Sequence, residues 1–254
     1  MNSRSEWQAK RARMEASKGR SSTLGPRKWP WLHYVLRFGG TMTRATGLWN
    51  SVVSRSMRLV VSEMELRCPR LPTALDGFTI LHLSDLHFEV MPAFVEVAAA
   101  ELSKLHADVA VITGDFQIDE DRTDPQRACG FMRTLMGALN TRHGVYGTLG
   151  NHDSWTIVEH LEEIGMRMLI NEHAAIEAGE HTIRLIGIDD VHAFYTEEAL
   201  RTLQDAPDGF RIMLAHTPEV ADIASASGYD LYLAGHTHGG QICLPNGQIG
   251  RAHV

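Results

Sequence analysis

From residue 78 to residue 234, short continuous apolar runs alternate with longer segments that are apolar on one side only. Continuous runs of this kind are typical of strands buried on both faces, and amphipathic segments between them are typical of helices that cover a sheet. The pattern predicts strands at 78–83, 108–113, 145–149, 182–188, 210–215 and 229–234. It predicts helices at 91–105, 124–140, 154–164, 196–204 and 218–226. We therefore expect an α/β body in which helices are layered on sheet.

The first 60 residues differ from the rest of the chain in charge. They carry 12 Lys or Arg against two Glu, whereas residues 61–254 carry 12 basic and 29 acidic side chains. Residues 1–28 have hardly any branched apolar residues, so we expect a disordered basic tail, with the folded domain at 61–254.

Residues 29–60 place Trp, Leu and Val opposite Arg at helical spacing, which predicts an amphipathic basic and aromatic helix. This helix could lie on an anionic membrane surface or pack on the protein body, and the pattern favours neither.

Cysteine usage and the N-terminal residues bear on the compartment. Cys68, Cys129 and Cys243 are few, odd in number and far apart, which is typical of free thiols in a reducing environment. The N-terminus has no apolar core followed by a cleavage site, and no run of about 18 apolar residues occurs. We therefore expect a cytoplasmic protein, peripheral on the inner face of the membrane if residues 29–60 bind lipid.

Side chains of the types that bind metals come directly after most of the predicted strands. Loops at the carboxyl ends of strands in an open α/β sheet converge on one crevice, so residues far apart in sequence become neighbours. Asp85 and His87 are two residues apart, as are His236 and His238, so the members of each pair point to the same side of an extended segment. The candidate site residues are Asp85, His87, Asp115, Asn151, His152, Asp153, His216, His236 and His238.

The donor atoms of this set limit the choice of metal and substrate. Carboxylate, amide oxygen and imidazole without thiolate suit Mn²⁺, Fe²⁺ or Zn²⁺, and the set is too rich in nitrogen for Ca²⁺ or Mg²⁺ alone. Two dications held by only two carboxylates keep a net positive charge, which attracts a phosphate group. Gly114, Gly150 and Gly235 each precede a candidate ligand, where the missing Cβ permits a close approach. The sequence thus predicts a crowded two-metal site for an anionic substrate.

The order of these residues resembles that of the calcineurin-like metallophosphoesterases. The family pattern D-x-H, G-D, G-N-H-[DE], H and G-H-x-H is matched at 85–87, 114–115, 150–153, 216 and 235–238, and the flanking residues are most similar to the bacterial YkuE and YaeI type. The resemblance covers about residues 72–245 and implies a metallophosphoesterase-type β-sandwich flanked by helices. The chain ends 16 residues after His238, sooner than is usual in that family, so the last C-terminal strands of the fold could be missing.

The resemblance also implies a role for each candidate residue. The first metal ion would be held by Asp85, His87 and His238, the second by Asn151, His216 and His236, and Asp115 would bridge the two. A hydroxide between the ions would attack phosphorus. His152 would protonate the leaving oxygen, and Asp153 would orient His152 and keep it cationic.

The expected function is therefore metal-dependent hydrolysis of a phosphomonoester or phosphodiester. Because residues 29–60 are basic and aromatic, a membrane phospholipid or lipid-linked diphosphate is the favoured substrate, with a phosphorylated small molecule as the other choice. The alternatives are a catalytically impaired metal-binding interaction module and a nuclease or protein phosphatase of the same fold. The acidic composition of residues 61–254 argues against a specific nucleic-acid partner.

Asp189 and Asp190 also follow a predicted strand, but a turn or helix N-cap role is favoured for them.

Overall fold

The computed structural model describes residues 4–21, 41–42, 46, 54, 57–118 and 124–238. These residues form an N-terminal helix, α1 (Arg4–Ser21), and two four-stranded sheets that pack face to face. The other helices cover the outer faces of the sheets. The predicted α/β sandwich flanked by helices is confirmed.

The first sheet is entirely parallel, as continuous apolar strands require. Its strands are, in spatial order, β1 (Ile80–Leu83), β2 (Val109–Thr113), β3 (Val145–Thr148) and β4 (Met166–Met168). The crossover connections contain α2 (Phe94–Leu102), α3 (Pro125–Ala138) and α4 (Ile157–Glu163). Helix α3 begins at a proline directly after Asp124, whose carboxylate accepts a hydrogen bond from the Gln126 N–H at 3.0 Å. This is a favourable N-terminal cap.

The second sheet begins with an antiparallel pair and continues in parallel. Its strands are β5 (Glu172–Ala178), β6 (His181–Gly187), β7 (Phe210–Leu214) and β8 (Leu231–Leu233). Helix α5 (Glu197–Gln204) connects β6 to β7, and α6 (Ala221–Ala226) connects β7 to β8. Because neighbouring strands are parallel, the carboxyl ends of β1, β2 and β3 lie together at one end of the first sheet. Those of β6, β7 and β8 lie together at one end of the second sheet.

Strand β2 shows how the two faces of the first sheet are used. Val109 and Val111 pack between the two sheets, against residues of β6 and β7. Ala110 and Ile112 point to the opposite face and pack against α3 and α4. A third apolar cluster fills the space between the second sheet and helices α5 and α6. Burial on both faces explains why this strand reads as a continuous apolar run.

All six predicted strands and five predicted helices are confirmed, with ends that shift by a few residues. Strands β4 and β5 were not predicted. Strand β4 has only three residues, with exposed Arg167 between two buried methionines. In β5 the buried Ala174 and Ile176 alternate with exposed side chains, so no continuous apolar run marks this strand.

The expectation of disorder over residues 1–28 is wrong for residues 4–21, which form helix α1. One face of α1 carries Trp7, Arg11 and Glu15 at four-residue spacing, and this face packs on the body of the protein. A single tryptophan and a set of polar contacts thus replace the branched apolar residues whose scarcity predicted disorder. The amphipathic segment predicted at 29–60 lies outside the described residues, apart from 41–42, 46, 54 and 57–60. Across the described part of the chain, no helix combines the length and apolar character needed to cross a bilayer.

Candidate metal centre

The predicted ligands leave the carboxyl ends of five strands and meet in one place. Strand β1 is followed by Asp85 and His87, β2 by Asp115, β3 by Asn151, β7 by His216, and β8 by His236 and His238. The ligand atoms of Asp85, His87 and His238 lie within 4.8 Å of one another, and so do those of Asp85, Asp115 and His216. Because the two groups share Asp85, they are parts of one site.

Asp115 lies at the centre of this site and is 1% exposed. Its Oδ2 atom is 3.4 Å from Nε2 of His87 and 3.3 Å from Nε2 of His216. Its Oδ1 atom accepts a hydrogen bond from the backbone N–H of His152 at 3.0 Å. One carboxylate therefore contacts a predicted ligand of each metal ion.

Asn151 contacts the remaining predicted ligands of the second metal ion. Its Oδ1 atom lies 3.0 Å from Nε2 of His216 and 2.9 Å from Nδ1 of His236. On the other side of the site, Oδ1 of Asp85 lies 3.5 Å from Nε2 of His238, and the Asp85 carboxylate accepts a hydrogen bond from the His236 N–H. The structure thus brings together all seven residues that the sequence predicts as metal ligands.

Two of the imidazoles are held from behind by main-chain carbonyls. Nδ1 of His87 donates to the carbonyl of Gln117 at 2.6 Å, and Nδ1 of His216 donates to the carbonyl of Thr113 at 2.8 Å. In each ring Nδ1 therefore carries a proton, and Nε2 faces Asp115. This arrangement is typical of histidine that binds a metal ion, because the second hydrogen bond fixes the tautomer and the ring orientation.

The backbone at the ligands is strained. Six non-glycine residues among those described have a positive φ, and one of them is Asn171. The other five are predicted ligands, namely Asp85 (53°), His87 (36°), Asp115 (57°), His236 (68°) and His238 (49°). Each such residue costs about 1–3 kcal/mol and persists only where the surroundings enforce it, most often at functional sites.

Gly114, Gly150 and Gly235 allow the ligand loops to approach closely, as the sequence predicts, and a Cβ on Gly114 would overlap the backbone of Leu149 and Gly150. A Cβ on Gly150 would overlap the carboxylate and the backbone nitrogen of Asp115, and a Cβ on Gly235 would overlap the side chains of Ser84 and Asp85. At both positions any larger residue forces two loops of the site apart. Space, rather than backbone conformation, requires glycine at these two positions.

The charges of the site couple to one another. Burial disfavours the charged form of His216, but the hydrogen bond and negative charge of Asp115 outweigh burial and raise the pKa of His216 to about 9. The same balance raises the pKa of His87. Burial also opposes ionisation of Asp115, yet its bonds to His216 and His87 hold the pKa of this carboxyl well below its usual range. Asp115 is therefore an anion between two histidines that attract protons or, equally, metal ions.

The structure corrects the role expected for Asp153. Its buried carboxylate accepts hydrogen bonds from three backbone N–H groups, those of Asp115 at 2.8 Å, Gln117 at 2.9 Å and Gly150 at 2.8 Å. Among the described residues, no hydrogen bond joins it to the imidazole of His152. Burial, with the added charge of Asp115, raises the pKa of Asp153 to about 7 despite these donors. Asp153 thus holds the ligand loop together and does not orient His152 directly.

His152 itself lies at the edge of the site. Its half-buried ring meets the ring of His87 edge to face, with centroids 5.4 Å apart. Close by, the ring of His192 lies 5.0 Å from that of His236, and Nδ1 of His192 is 2.6 Å from a carboxylate oxygen of Glu219. Sequence reasoning did not single out His192, because no ligand pattern includes it.

Behind the site, helix α1 contributes residues that no motif could reveal. Nη1 of Arg11 pairs with the carboxylate of Asp189, and Nε1 of Trp7 donates to the same carboxylate at 2.8 Å. The adjacent Asp190 accepts a hydrogen bond from the N–H of Ala193 at 2.7 Å, which is the turn role favoured from the sequence. Asp189, by contrast, is the anchor of α1.

Comparison with known proteins agrees with the geometry. The family model described as calcineurin-like phosphoesterase matches residues 78–240. The metallophosphoesterase YkoQ of Bacillus subtilis is 34% identical over 65% of this chain and 63% of its own length, and the phosphodiesterase YaeI of Escherichia coli is 27% identical over 66% and 63%. The UDP-2,3-diacylglucosamine pyrophosphatase LpxG of Chlamydia trachomatis is 25% identical over 74% and 71%. The chain spans less than two thirds of the length of YkoQ and YaeI. It belongs to the calcineurin-like phosphoesterase family.

Proposed function

We propose that this protein hydrolyses phosphoester bonds at a centre that holds two divalent metal ions. Asp85, His87 and His238 would bind one ion, Asn151, His216 and His236 the other, and Asp115 both. The donor set fits Mn²⁺, Fe²⁺ or Zn²⁺. The bound ions would supply positive charge for the phosphoryl oxygens and lower the pKa of the attacking water.

The observation that carries this proposal is the position of Asp115 between two tethered imidazoles. Its Oδ2 atom lies 3.3–3.4 Å from Nε2 of His216 and of His87, and each ring is held by a carbonyl at its other nitrogen. Side chains from separate loops that present lone pairs to one carboxylate repel one another in the absence of a cation or proton. A metal-binding role explains both this convergence and the backbone strain at five ligands.

His152 is the residue we assign to proton transfer. Its backbone N–H is bonded to Asp115, so the position of its loop is tied to the bridging carboxylate. Its ring is partly open to solvent and contacts the ring of the predicted ligand His87, so we propose that it protonates the leaving oxygen. We assign Asp153 the task of fixing the loop that carries Asn151 and His152, through its three backbone hydrogen bonds.

The direct test is turnover by the full-length chain loaded with Mn²⁺. We expect hydrolysis of bis-p-nitrophenyl phosphate or p-nitrophenyl phosphate that disappears with a chelator and returns with Mn²⁺. Asp115→Asn should lose both metal and activity, whereas His106→Ala, which changes an exposed histidine away from the site, should lose neither. Metal bound without turnover on either substrate would favour the impaired binding module, and no metal bound at all would refute the metal centre.

For the substrate we propose a phospholipid or lipid-linked diphosphate. LpxG is named as a pyrophosphatase of a diacylated sugar nucleotide, and YaeI is named as a phosphodiesterase. Residues 29–60, with their basic and aromatic side chains, suit an anionic membrane surface. The proposal predicts faster turnover of a diacylated diphosphate in mixed micelles than of its soluble headgroup. Equal rates on both would remove the lipid preference and leave a phosphorylated small molecule as the substrate.

A further inference from the structure

Arg11 in helix α1 is a buried cation behind the candidate metal centre. It is 1% exposed, although α1 as a whole is polar and carries the exposed basic residues Lys10 and Arg13. Its Nη2 atom donates to the carbonyl of Asp153 at 2.8 Å and lies 3.4 Å from the carbonyl of Gly150. Its Nη1 atom pairs with Asp189, and the plane of the guanidinium lies over the ring of Phe194. Arg11 therefore bonds to both ends of the segment that carries Asn151 and His152.

The opposite side of the same segment is held by Asp153. The Asp153 carboxylate bonds to the N–H of Gly150 and to the N–H groups of Asp115 and Gln117 in the neighbouring loop. Within the segment, the N–H of Gly150 donates to Asp153 and the N–H of His152 donates to Asp115, while the carbonyls of Gly150 and Asp153 accept from Arg11. The two sets of bonds together leave the segment 150–153 little freedom to move relative to Asp115.

Helix α1 also connects the two sheets at this point. Arg11 and Trp7 bond to Asp189, which follows β6 of the second sheet. Glu15 accepts hydrogen bonds from the N–H of Trp155 at 2.8 Å and from the hydroxyl of Ser154 at 3.1 Å, just after the ligand loop of the first sheet. One face of α1 therefore links loops that end strands of both sheets.

We propose that Arg11 is a positioning residue for the metal centre. It braces the carbonyl side of residues 150–153 so that Asn151 and His152 hold their places against Asp115. The proposal rests on the proposed function for the meaning of these two residues, but it makes a separate claim about their mobility. Helix α1 then contributes to the alignment of the metal ligands.

The chemistry of the contact calls for arginine. A planar guanidinium can donate to a carboxylate and two carbonyls at once while its face lies on an aromatic ring, and a lysine ammonium on a flexible stem cannot. Burying this charge is unfavourable unless it is fully bonded, so an apolar residue at this position would suffice if α1 only had to pack on the domain. Arg11→Lys therefore keeps the charge and removes the fork.

The test compares Arg11→Lys and Arg11→Ala with Arg13→Ala in the full-length chain. Arg13 is the matched control, because it is exposed on the same helix and, among the residues that the structure describes, it bonds to the Ala9 carbonyl within α1 and not to the ligand loops. Hydrogen exchange of the metal-free proteins should become faster at residues 150–156 in both Arg11 variants, with the central strands unchanged. Mn²⁺ affinity and kcat should fall roughly 10- to 100-fold with KM changed much less, as for other residues that orient metal ligands. Millimolar guanidinium should restore part of the loss in Arg11→Ala, and Arg13→Ala should match the parent chain throughout.

Three outcomes would overturn the proposal. They are unchanged exchange at residues 150–156 in Arg11→Ala, full metal affinity in Arg11→Lys, and exchange that rises equally in every strand, which would mark a general stabilising role. If Arg11→Ala does not fold, Arg11→Lys alone decides, since it keeps the buried charge paired. Should the parent chain hydrolyse no phosphoester, the exchange and metal-affinity measurements still decide the role of Arg11, so failure of the proposed function is distinguished from failure of this inference.

Discussion

Gly150→Ala tests whether the close contact of two ligand loops is needed for the metal centre. The added methyl group would overlap the carboxylate oxygen and the backbone nitrogen of Asp115, which is held in place by bonds to Asp153 and to His152. Neither partner is the free end of a flexible side chain. The loops must therefore separate by several tenths of an ångström or more.

The size of the effect follows from overpacking a buried site. Inserting one carbon into a well-packed region costs about 1–3 kcal/mol, and for a chain of this length each kcal/mol lowers Tm by roughly 2–4 °C. We therefore expect the Tm of metal-free Gly150→Ala to fall by about 2–12 °C. A shift of about 1 Å in a reacting group can cost roughly 100-fold in rate, so activity should fall more than stability suggests.

Gly130→Ala provides the matched control in this chain. Gly130 is exposed within helix α3, and a Cβ there would meet no atom within 4 Å. Replacing glycine by alanine inside a helix stabilises it by roughly 0.5–1 kcal/mol, so the same substitution should raise Tm here and leave activity unchanged. Thermal unfolding, Mn²⁺ titration and phosphodiesterase assays of the two variants check the prediction. Equal metal affinity and activity in Gly150→Ala and the parent chain would show that the loops can separate without harm, which refutes the reasoning.

Four further predictions concern proton transfer by His152, the effect of pH on stability and on metal affinity, and the anchor of α1. His152→Ala should retain its metal content and lose about 10²–10⁴ in kcat, as measured by metal analysis beside steady-state kinetics; loss of metal as well would make His152 a ligand or a support. The pKa of His216 is raised from 6.5 to about 9. The contribution of this shift to the stability of the metal-free protein is therefore complete below pH 6.5 and is lost as the pH rises through 9. We expect the Tm of the metal-free protein to fall between pH 6.5 and 9. A metal ion must displace the same proton from His216, so Mn²⁺ affinity should rise between pH 6.5 and 9 by up to about tenfold per pH unit. An affinity that calorimetry finds constant over this range would contradict the prediction. Trp7→Phe removes the bond to Asp189 and part of the buried ring, so it should cost at least about 1 kcal/mol in urea unfolding, and an unchanged free energy of unfolding would contradict an anchoring role for Trp7.

The fold was predictable wherever burial alone determines the local pattern. Strand β2 is buried on both faces, so its apolar run could be read without knowledge of its neighbours. Strand β5 lies at a sheet edge and alternates buried with exposed side chains, and its seven residues include two glutamates and a histidine. Such a strand forms because β6 is available as a partner, and that is a tertiary effect which no short window contains.

The site was predictable for a related reason. Parallel topology brings strand ends together, so the residue types after each strand indicated which side chains would meet. The relation between His152 and Asp153 was not predictable, although the two are adjacent. The turn after β3 directs the Asp153 carboxylate to the N–H groups of Asp115 and Gln117, and adjacency in sequence says nothing about that direction.

For helix α1, amino-acid composition predicted disorder where the structure has an ordered helix. A segment with few branched apolar residues is expected to remain disordered because it cannot bury enough surface. Here the ordering is carried by Trp7, by the fully bonded Arg11 and by Glu15, whose partners lie 139 to 182 residues further along the chain. Each partner belongs to a loop that ends a strand of one of the two sheets. Because α1 bonds to the segment that carries Asn151 and His152 and to Asp189 after β6, a chain that lost α1 should keep its strands and lose the alignment of its ligands.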